Sequence, residues 1–320
     1  MDIYFLRDQF ARLPYPTTKH TGQTIIVTGS NVGLGLEAAR HFTRLDAEKV
    51  ILAVRNLEKG EAAKRSIEET TSRKNVVEVW QLDLASYESV KQFAKKANEL
   101  RRLDAVVENA GIATANFTIF EDNESTITTN VVSTFLLALM ILPKLQETAT
   151  KFNVTPYLTV VSSEVHGWTS FAERNSANIF DTLSNKETAN MAERYPVSKL
   201  LEVFYCRELA ERIRNSQKPL VVLNYLNPGL CHSDLSRDAG WFLTILKFFL
   251  ARTTEVGSRT LVSATEGGDA THGQYLSCCQ VAPPSKLVRS EEGAKVQKRV
   301  YDELSAKLEA IQPGLMSNVG

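Results

Sequence analysis

A glycine-rich turn directly after the first hydrophobic run is the feature that most restricts how this chain can fold. The run covers residues 24–28, and the turn reads TGSNVGLG over residues 28–35. The residues that follow, Leu36, Ala39 and Phe42, recur at helical spacing. Glycines let a backbone pass close to a phosphate, and a helix N-terminus supplies unpaired N–H groups. This strand–turn–helix context predicts a dinucleotide-phosphate site, with a tight turn that binds no ligand as the alternative.

Short β-branched runs alternate with longer segments of helical period along most of the chain. This alternation is typical of βα units in a parallel sheet. The predicted strands are near-continuous apolar runs, as expected of strands covered on both faces. They are residues 24–28, 50–54, 76–82, 105–107, 157–161 and 220–225. We therefore predict an α/β fold with a Rossmann-type doubly wound parallel sheet.

The segments outside the predicted sheet are short. No internal repeat, low-complexity tract or linker interrupts residues 23–280, so we predict one domain over residues 1–320. Apolar residues at helical spacing predict an N-terminal amphipathic arm over 1–22 and a closing helix over 294–312. These residues are Ile3, Leu6, Phe10 and Leu13 in the arm, and Val296, Val300, Leu304, Leu308 and Ile311 in the helix.

Charge and cysteine usage argue against several classes of function. The 37 basic and 37 acidic residues balance, which removes the electrostatic reason to expect a nucleic-acid partner. The four cysteines show no C-x-x-C spacing, and Asp2, Arg7 and Asp8 interrupt any signal-peptide core. We therefore predict a cytoplasmic protein in a reducing compartment. We also predict no metal site, because His166 and His272 have no accompanying carboxylate or cysteine cluster.

The end of the second predicted strand indicates which dinucleotide would bind. A site for NAD would place Asp or Glu about twenty residues after the glycines, where a carboxylate holds the ribose 2′-hydroxyl. This chain has Val54, Arg55 and Asn56 there. Because Arg55 can pair with a 2′-phosphate, the sequence favours NADP(H); the alternative is a solvated surface arginine.

Tyr195 and Lys199 are four residues apart, so they share one face of a predicted helix. Reduction of a carbonyl needs a proton donor, and a free tyrosine with a pKa of ~10 is poorly matched to neutral pH. Lowering that pKa to ~7 requires about 4 kcal/mol, roughly what an ammonium ~4 Å away supplies at an effective dielectric of ~20. We therefore expect Lys199 alone to be nearly sufficient to activate Tyr195.

Three motifs together resemble the short-chain dehydrogenase/reductase family across nearly the whole chain. They are T-G-x-x-x-G-x-G over 28–35, Asn109-Ala110-Gly111, and Y-P-V-S-K over 195–199. The VSS…YxxSK and LAVRN forms are similar to the retinol-dehydrogenase-like branch. The segments LPYPTT over 13–18 and PPSKLVRSEEG over 283–293 resemble fungal members associated with secondary metabolism. The resemblance implies an NADP(H)-dependent oxidoreductase that interconverts a hydrophobic ketone and a secondary alcohol.

The resemblance also implies roles for single residues. Ser163, rather than its neighbour Ser162, would hydrogen-bond the substrate oxygen beside Tyr195 and Lys199. Asn130 would hold a water that relays protons to the lysine, although a buried, satisfied asparagine is the alternative. Asp83 would contact the adenine, although it could equally be a helix cap. The implied cofactor-binding residues are Gly29, Ser30, Asn31, Gly33, Leu34, Gly35, Arg55, Asp83, Asn109, Ala110, Gly111, Tyr195, Lys199, Pro228, Gly229 and Ser233.

The chain departs from the family pattern at two places. Glu108 replaces the first asparagine of the usual N-N-A-G, which puts one hydrogen bond at the strand end in doubt. Residues 164–194 form an insertion between Ser163 and Tyr195. Its three large aromatic side chains would either line a pocket for a bulky apolar substrate or pack a surface loop. They are Trp168, Phe171 and Phe180.

A strongly apolar segment, Trp241 to Leu250, follows the loop that would hold the nicotinamide. It is too apolar for a solvent-facing loop and too short to cross a bilayer. We expect it to belong to a substrate lid over residues 230–255. The alternatives are burial against the N-terminal arm, against the partner subunit of a homodimer, or against a membrane surface, of which membrane contact is the first alternative.

Two other functions fit the same motifs. The same tyrosine could catalyse an isomerisation or rearrangement without net change in the cofactor. Alternatively, the fold could act as a redox-silent dinucleotide sensor, although the intact Ser163, Tyr195 and Lys199 argue against this. The mass of the product separates redox chemistry from isomerisation, because only the former changes it by two hydrogens.

Overall fold

The computed structural model describes residues 7–232 and 251–320, and an eight-stranded sheet forms its centre. The strands are β1 (Thr24–Thr28), β2 (Lys49–Val54), β3 (Val77–Gln81), β4 (Ala105–Glu108), β7 (Tyr157–Val161), β8 (Val222–Asn227), β9 (Tyr275–Ser277) and β10 (Gln280–Val281). Their order is β10-β9-β8-β7-β4-β1-β2-β3, and every pair is parallel except β9 with β10. A separate hairpin joins β5 (Ile119–Phe120) to β6 (Asn123–Glu124). The predicted single-domain, doubly wound α/β fold is confirmed.

Helices between the parallel strands, and one more after the last strand, cover both faces of the sheet. They are α1 (Gly33–Arg44), α2 (Leu57–Thr71), α3 (Tyr87–Asn98), α4 (Ser133–Phe152), α5 (Met191–Asn215), α6 (Thr254–Ala264) and α7 (Glu291–Ile311). Four of them begin at polar caps. The side chains of Asn56, Ser86, Thr253 and Ser290 each accept a hydrogen bond from a backbone N–H of the first turn. The closing helix predicted over 294–312 corresponds to α7.

Alternate residues along each strand face opposite layers of the core. Ile26 and Ile51 pack in one apolar cluster with residues of α3, α4, α5 and α7. Ile25, Val27 and Leu52 pack in a second cluster with residues of α1, α2 and α6. All five side chains are fully buried. The unbroken apolar runs seen in the sequence follow from this coverage of both faces.

One helical stretch in the described part of the chain, Ser125–Phe152, is long and apolar enough to be compared with a membrane span. The structure buries 94% of its apolar window inside the protein. The stretch includes α4, which packs against the sheet in the first apolar cluster. It therefore has the surroundings of a core helix.

The structure corrects the sequence interpretation of the N-terminal arm. Residues 11–20 form no helix, because Pro14 and Pro16 lack the N–H groups that a helix needs. Phe10 and Leu13 consequently do not share a face: Phe10 is 68% exposed, whereas Leu13 is buried. Ile3 and Leu6 lie outside the described residues.

Strand boundaries also differ from the predicted ones near the end of the sheet. The run predicted over 220–225 forms β8 two residues later, over Val222–Asn227. Strands β9 and β10 were not predicted, because three-residue and two-residue strands carry too little periodicity to recognise. They extend the sheet beyond β8, and Cys278, which directly follows β9, contacts the carbonyl of Asp8 in the N-terminal arm.

Candidate active site

The glycine-rich turn lies where the strand order reverses, between β1 and its neighbours β2 and β4. Ligands of such sheets bind in the crevice outside the carboxyl ends of the strands at this point. Gly29 and Gly33 adopt left-handed backbone angles, with φ of +64° and +66°. Among residues 7–232 and 251–320, no atom beyond the turn and helix backbone next to Gly33 lies within 4 Å of the position that a Cβ on Gly33 would take. In the described part of the chain, this side of the turn is therefore open to a ligand.

The N-terminus of α1 has the properties that anion binding requires. Its N-cap residue, Val32, makes no side-chain cap hydrogen bond, and the first turn contains no acidic residue. The backbone N–H groups of this turn are thus left for a ligand, and the helix dipole favours negative charge there. These residues fit the pyrophosphate of a dinucleotide. The side chain of Ser30, in contrast, is buried and donates to the carbonyl of Val27 at 2.7 Å, so only its backbone could contact a cofactor.

The Asn109-Ala110-Gly111 loop is hydrogen-bonded directly to the glycine-rich turn. The Thr28 hydroxyl accepts the backbone N–H groups of Asn109 and Ala110, both at 2.9 Å. The Asn109 amide donates in return to the carbonyl of Thr28 at 2.8 Å. A Cβ on Gly35 would lie 2.6 Å from the Asn109 amide nitrogen, so only glycine fits there. The two loops therefore form one rigid wall of the crevice.

Glu108, the departure from the family pattern, is buried at the end of β4. Its Oε2 lies 3.3 Å from the Thr28 hydroxyl, and its Oε1 has no hydrogen-bond partner among the described residues. Burial raises the pKa of Glu108 to about 8, and the hydrogen bond with Thr28 opposes this only in part. Glu108 is therefore a neutral acid at pH 7, and it makes a hydrogen bond at the strand end that the sequence had left in doubt.

Replacing Glu108 with glutamine should make stability less sensitive to alkaline pH. The folded protein holds a proton on Glu108 that the unfolded chain has lost above its usual pKa, so stability falls as pH rises from about 4.5 to about 8. A glutamine side chain has no such proton to lose. In thermal melts at pH 8.5 the variant should melt at least ~2 °C higher than the wild type, with little difference at pH 5. Equal melting temperatures at both pH values would mean that Glu108 does not titrate in this range.

The two residues predicted to contact the adenosine half lie beside this wall. Arg55 follows β2 and is exposed, so its guanidinium is accessible to a 2′-phosphate. Asp83 follows β3, and its Oδ1 accepts the N–H of Ala85 at 3.0 Å. The alternative that Asp83 caps a helix is wrong, because Ser86 caps α3.

Tyr195 and Lys199 lie on the second and third turns of α5, which passes beside the end of β7. The Lys199 ammonium donates to the carbonyl of Val161 at 2.9 Å, and the Ser162 hydroxyl donates to the carbonyl of Lys199 at 3.0 Å. Ser162 is buried, and its hydroxyl is used in this hydrogen bond. Ser163 is partly exposed and hydrogen-bonds with Tyr195. Of the two competing serines, Ser163 is the one with access to a substrate.

Asn130 and Gly111 complete the group around the lysine. Asn130 lies in a π-helical turn, Thr128–Val132, a distortion found frequently at functional sites. Its amide accepts the N–H of Ile112 at 2.8 Å and donates to the Ile112 carbonyl at 2.9 Å. A Cβ on Gly111 would lie 3.2 Å from the Asn130 oxygen and 3.8 Å from the Lys199 ammonium. The structure thus brings the predicted residues Gly111, Asn130, Ser163, Tyr195 and Lys199 together.

The electrostatics of Tyr195 differ from the sequence expectation. Burial raises the pKa of the phenol, Lys199 lowers it, Glu202 raises it and the hydrogen bond with Ser163 lowers it; the net result is a pKa above the ordinary value. The expectation that Lys199 alone nearly suffices to activate Tyr195 is therefore wrong in this structure. It neglected burial and the carboxylate of Glu202, which stands one helical turn after Lys199 and was visible in the sequence.

His166 is a buried support of the serine, not a metal ligand. Its Nδ1 lies 2.7 Å from the carbonyl of Ser163, and its Nε2 accepts the backbone N–H of Ser285 at 2.9 Å. Nδ1 must then carry the proton, and burial lowers the pKa of the ring, so the histidine stays neutral. In residues 7–232 and 251–320, no three His, Cys, Asp or Glu side chains are grouped so that they could hold a metal ion.

Two residues that the sequence analysis missed hold the loop after β8. The side-chain amide of Gln9 donates to the carbonyl of Leu230 at 2.7 Å and accepts its N–H at 2.9 Å. Arg252 donates to the carbonyls of Pro228 and Gln9. Pro228 and Gly229 are therefore held from two sides; Ser233 and Trp241 to Leu250 lie outside the described residues. No local sequence signal could reveal these contacts, because 221 residues separate Gln9 from Leu230.

The insertion over 164–194 is packed onto the domain. Phe171 and Phe180 are buried in the first apolar cluster, where Phe171 lies 6.5 Å from the ring of Phe204. Phe171 and Phe180 therefore pack the inserted loop onto the domain and do not line a substrate pocket, which is the second of the two alternatives that the sequence left open. Trp168 differs from them, because it is 59% exposed.

Comparison with known proteins finds short chain dehydrogenases, in agreement with the motifs in the sequence. A family model described as short chain dehydrogenase matches residues 23–152. The chain is 52% identical to the short chain dehydrogenase/reductase dmxR8 of Cryptosporiopsis sp., covering 98% of this chain and 99% of the relative. It is 51% identical to the short chain dehydrogenase atnD of Emericella nidulans, covering 85% and 89%.

Solved structures share the fold. A crystal structure of an uncharacterised protein from Mycobacterium paratuberculosis matches with a TM-score of 0.67 at 26% identity, covering 91% of this chain and 96% of that one. A short chain dehydrogenase from Escherichia coli CFT073, complexed with NADPH, matches with a TM-score of 0.61 at 24% identity, covering 82% and 99%. The second likeness shows a common fold alone.

Proposed function

Because this chain belongs to the short-chain dehydrogenase/reductase family, we propose that it is an NADP(H)-dependent oxidoreductase that interconverts a hydrophobic ketone and a secondary alcohol. The observation that carries the proposal is the grouping of Ser163, Tyr195 and Lys199 beside Asn130, at the sheet edge that also holds the glycine-rich turn. Nucleotide phosphates at the turn and a carbonyl at the tyrosine would then meet in one crevice.

The side chains of this crevice have separate tasks. NADPH, when bound, supplies the hydride for the reduction. Tyr195 holds the proton that the carbonyl oxygen needs, and the Ser163 hydroxyl orients that oxygen by a hydrogen bond. Lys199 has one N–H not used by Val161 or Glu202, which is available for the nicotinamide ribose or for Tyr195. Pro228 and Gly229 would face the nicotinamide from the loop that Gln9 and Arg252 hold.

The fungal relatives support a place in secondary metabolism. The two relatives described above come from Cryptosporiopsis sp. and Emericella nidulans, and they match over most of the chain. The segments over residues 13–18 and 283–293 also resemble fungal members of the family associated with secondary metabolism. We therefore propose a secondary metabolite as the source of the ketone or alcohol, in the retinol-dehydrogenase-like branch of the family.

An assay with purified protein tests this function. We expect NADPH consumption with a panel of apolar ketones, or NADP⁺ reduction with the matching alcohols, and a product two hydrogens away from the substrate. A product of unchanged mass would favour isomerisation instead. Binding of the dinucleotide without turnover on any ketone or alcohol would favour the redox-silent sensor.

Replacing Arg55 with alanine should reduce the preference for NADPH. A charge-assisted hydrogen bond to the 2′-phosphate is worth ~1.5–3 kcal/mol, or about ten- to a hundredfold in affinity. The dissociation constant of NADPH, measured by fluorescence titration, should rise by that factor while the value for NADH stays nearly constant. Lys59→Ala, an exposed cation in the first turn of α2, serves as the control. If the ratio of the NADPH and NADH dissociation constants were unchanged in Arg55→Ala, Arg55 would not contact the 2′-phosphate.

A further inference from the structure

A buried carboxylate stands directly against the lysine of the site. Glu202 follows Lys199 by three residues on α5, and the Lys199 ammonium donates to its Oε1 at 2.8 Å. The side chains are only 5% and 3% exposed. Burying a charge is costly unless it is paired with an opposite charge. Each of these two side chains therefore stabilises the charge of the other.

This contact restricts what the lysine can do. An ammonium has three N–H donors, and Lys199 uses two of them for Glu202 and for the carbonyl of Val161. Its nitrogen lies 5.6 Å from the centre of the Tyr195 ring. The third donor is therefore the one left to point toward Tyr195, and Glu202 fixes that direction.

The contact also changes the charge that Tyr195 experiences. The titratable and polar groups facing Glu202 are Lys199, Tyr195 and Cys206 on its own helix and Ser162 at the end of β7. Burial raises the pKa of Glu202 to about 7, against the opposing effect of Lys199. For Lys199, burial alone would lower the pKa, but Glu202 and Tyr195 outweigh it and raise it. The Lys199 ammonium thus remains charged, and the carboxylate of Glu202 partly counters that charge.

We propose that Glu202 is a positioning residue that orients Lys199 and, by countering its charge, keeps Tyr195 protonated, which favours ketone reduction over alcohol oxidation. The inference rests on the proposed function. Reduction requires Tyr195 to give a proton to the carbonyl oxygen, whereas oxidation requires an ionised Tyr195 that accepts the proton of the alcohol. A residue that suppresses ionisation therefore sets the pH above which oxidation begins.

The proposal predicts a change in the ionisation of Tyr195 itself. In Glu202→Gln the side chain keeps its shape and an oxygen for Lys199 but loses its charge. The phenolate absorbance near 295 nm is titrated in the wild type and the variant, each with Tyr195→Phe subtracted so that the other tyrosines cancel. We expect Tyr195 to ionise at a pH at least one unit lower in Glu202→Gln, which is a tenfold larger phenolate fraction at a given pH. An unchanged pKa would overturn the proposal.

Kinetics provide the second readout. The pH at which alcohol oxidation becomes half-maximal should fall by the same amount in Glu202→Gln, and the alkaline limit of ketone reduction should fall with it. Glu208→Gln is the matched control, since it removes a carboxylate from the same helix that pairs near the surface with Arg212. A loss of turnover without any shift in the pH profile would mean that Glu202 has a packing role only.

The spectroscopic titration needs no substrate, so it separates this inference from the proposed function. A protein without redox activity would still show the pKa shift if Glu202 acts as proposed. Should Glu202→Gln fail to fold, Glu202→Met, which removes the charge with an apolar side chain of similar length, is titrated in its place. A lower pKa of Tyr195 than in the wild type supports the proposal, and an unchanged pKa overturns it.

Discussion

Tyr195→Phe should lower the turnover of ketone reduction by at least ~10²-fold while leaving the dissociation constant of NADPH within about twofold of the wild type. The change removes only the phenolic oxygen, and with it the proton donor at the carbonyl. The ring remains to pack on α5, and the change alters neither the glycine-rich turn nor Arg55, to which the phosphates of the dinucleotide are assigned. Steady-state kinetics and a fluorescence titration of NADPH measure the two quantities.

Ser162→Ala is the matched control for this prediction. It also removes one hydroxyl near the site, but a hydroxyl that is bonded to the carbonyl of Lys199. We expect a far smaller effect on turnover than in Tyr195→Phe or Ser163→Ala. If Tyr195→Phe retained wild-type turnover, another group would be the acid and the proposed mechanism would be wrong.

Lys199→Ala should lower turnover and NADPH affinity together, and should also destabilise the fold. Its ammonium is assigned to both the ribose and Tyr195, so both functions are lost in one change. The carboxylate of Glu202 is left buried without a partner, and breaking such a pair costs about 3–5 kcal/mol. Kinetics, NADPH titration and denaturant unfolding measure the three effects.

The destabilisation of Lys199→Ala should depend on pH in a definite direction. The pKa of Glu202 is already raised to about 7 in the wild type, and without the ammonium it rises further. The folded variant then holds a proton that the unfolded chain has released, so its stability falls as pH rises from about 4.5 through neutrality. The loss relative to wild type should be smaller at pH 5 than at pH 8.

A double variant separates stability from catalysis. Lys199→Ala combined with Glu202→Gln removes the unpaired charge, so stability at pH 8 should recover in part while turnover stays low. An equal loss of stability at pH 5 and pH 8 in Lys199→Ala would contradict the assignment of the cost to Glu202.

Local spacing in the sequence predicted most of the sheet and the grouping of candidate residues. The glycines at 29, 33 and 35 follow a strand and open a helix, and Tyr195 and Lys199 are one turn apart. Both relations survive folding because the residues are close in sequence, the glycines in one strand–turn–helix connection and the other two in one helix. The fold then places them at one sheet edge because parallel strands end there together.

What the sequence did not predict depends on contacts between distant segments or on burial. Gln9 binds Leu230 across most of the chain, and no periodicity encodes such a pair. The aromatic residues Phe171 and Phe180 looked equally suited to a pocket and to packing, and only their burial in the first apolar cluster of the folded protein decides between the two. The raised pKa of Tyr195 follows from burial, which one sequence does not reveal.

The attachment of the N-terminal arm to the loop after β8 has a consequence for the order of events during synthesis. Gln9 leaves the ribosome 221 residues before Leu230, an interval of roughly 10–40 s at ordinary rates of translation. Over that interval β1, β2, β3, β4 and β7 are already available to pair, and residues 15–21 of the arm can contact α1 and the residues just after it, whereas the loop that Gln9 holds has not yet been made. We therefore expect the nascent chain to acquire its phosphate-binding half first and to close the nicotinamide side only when synthesis is nearly finished.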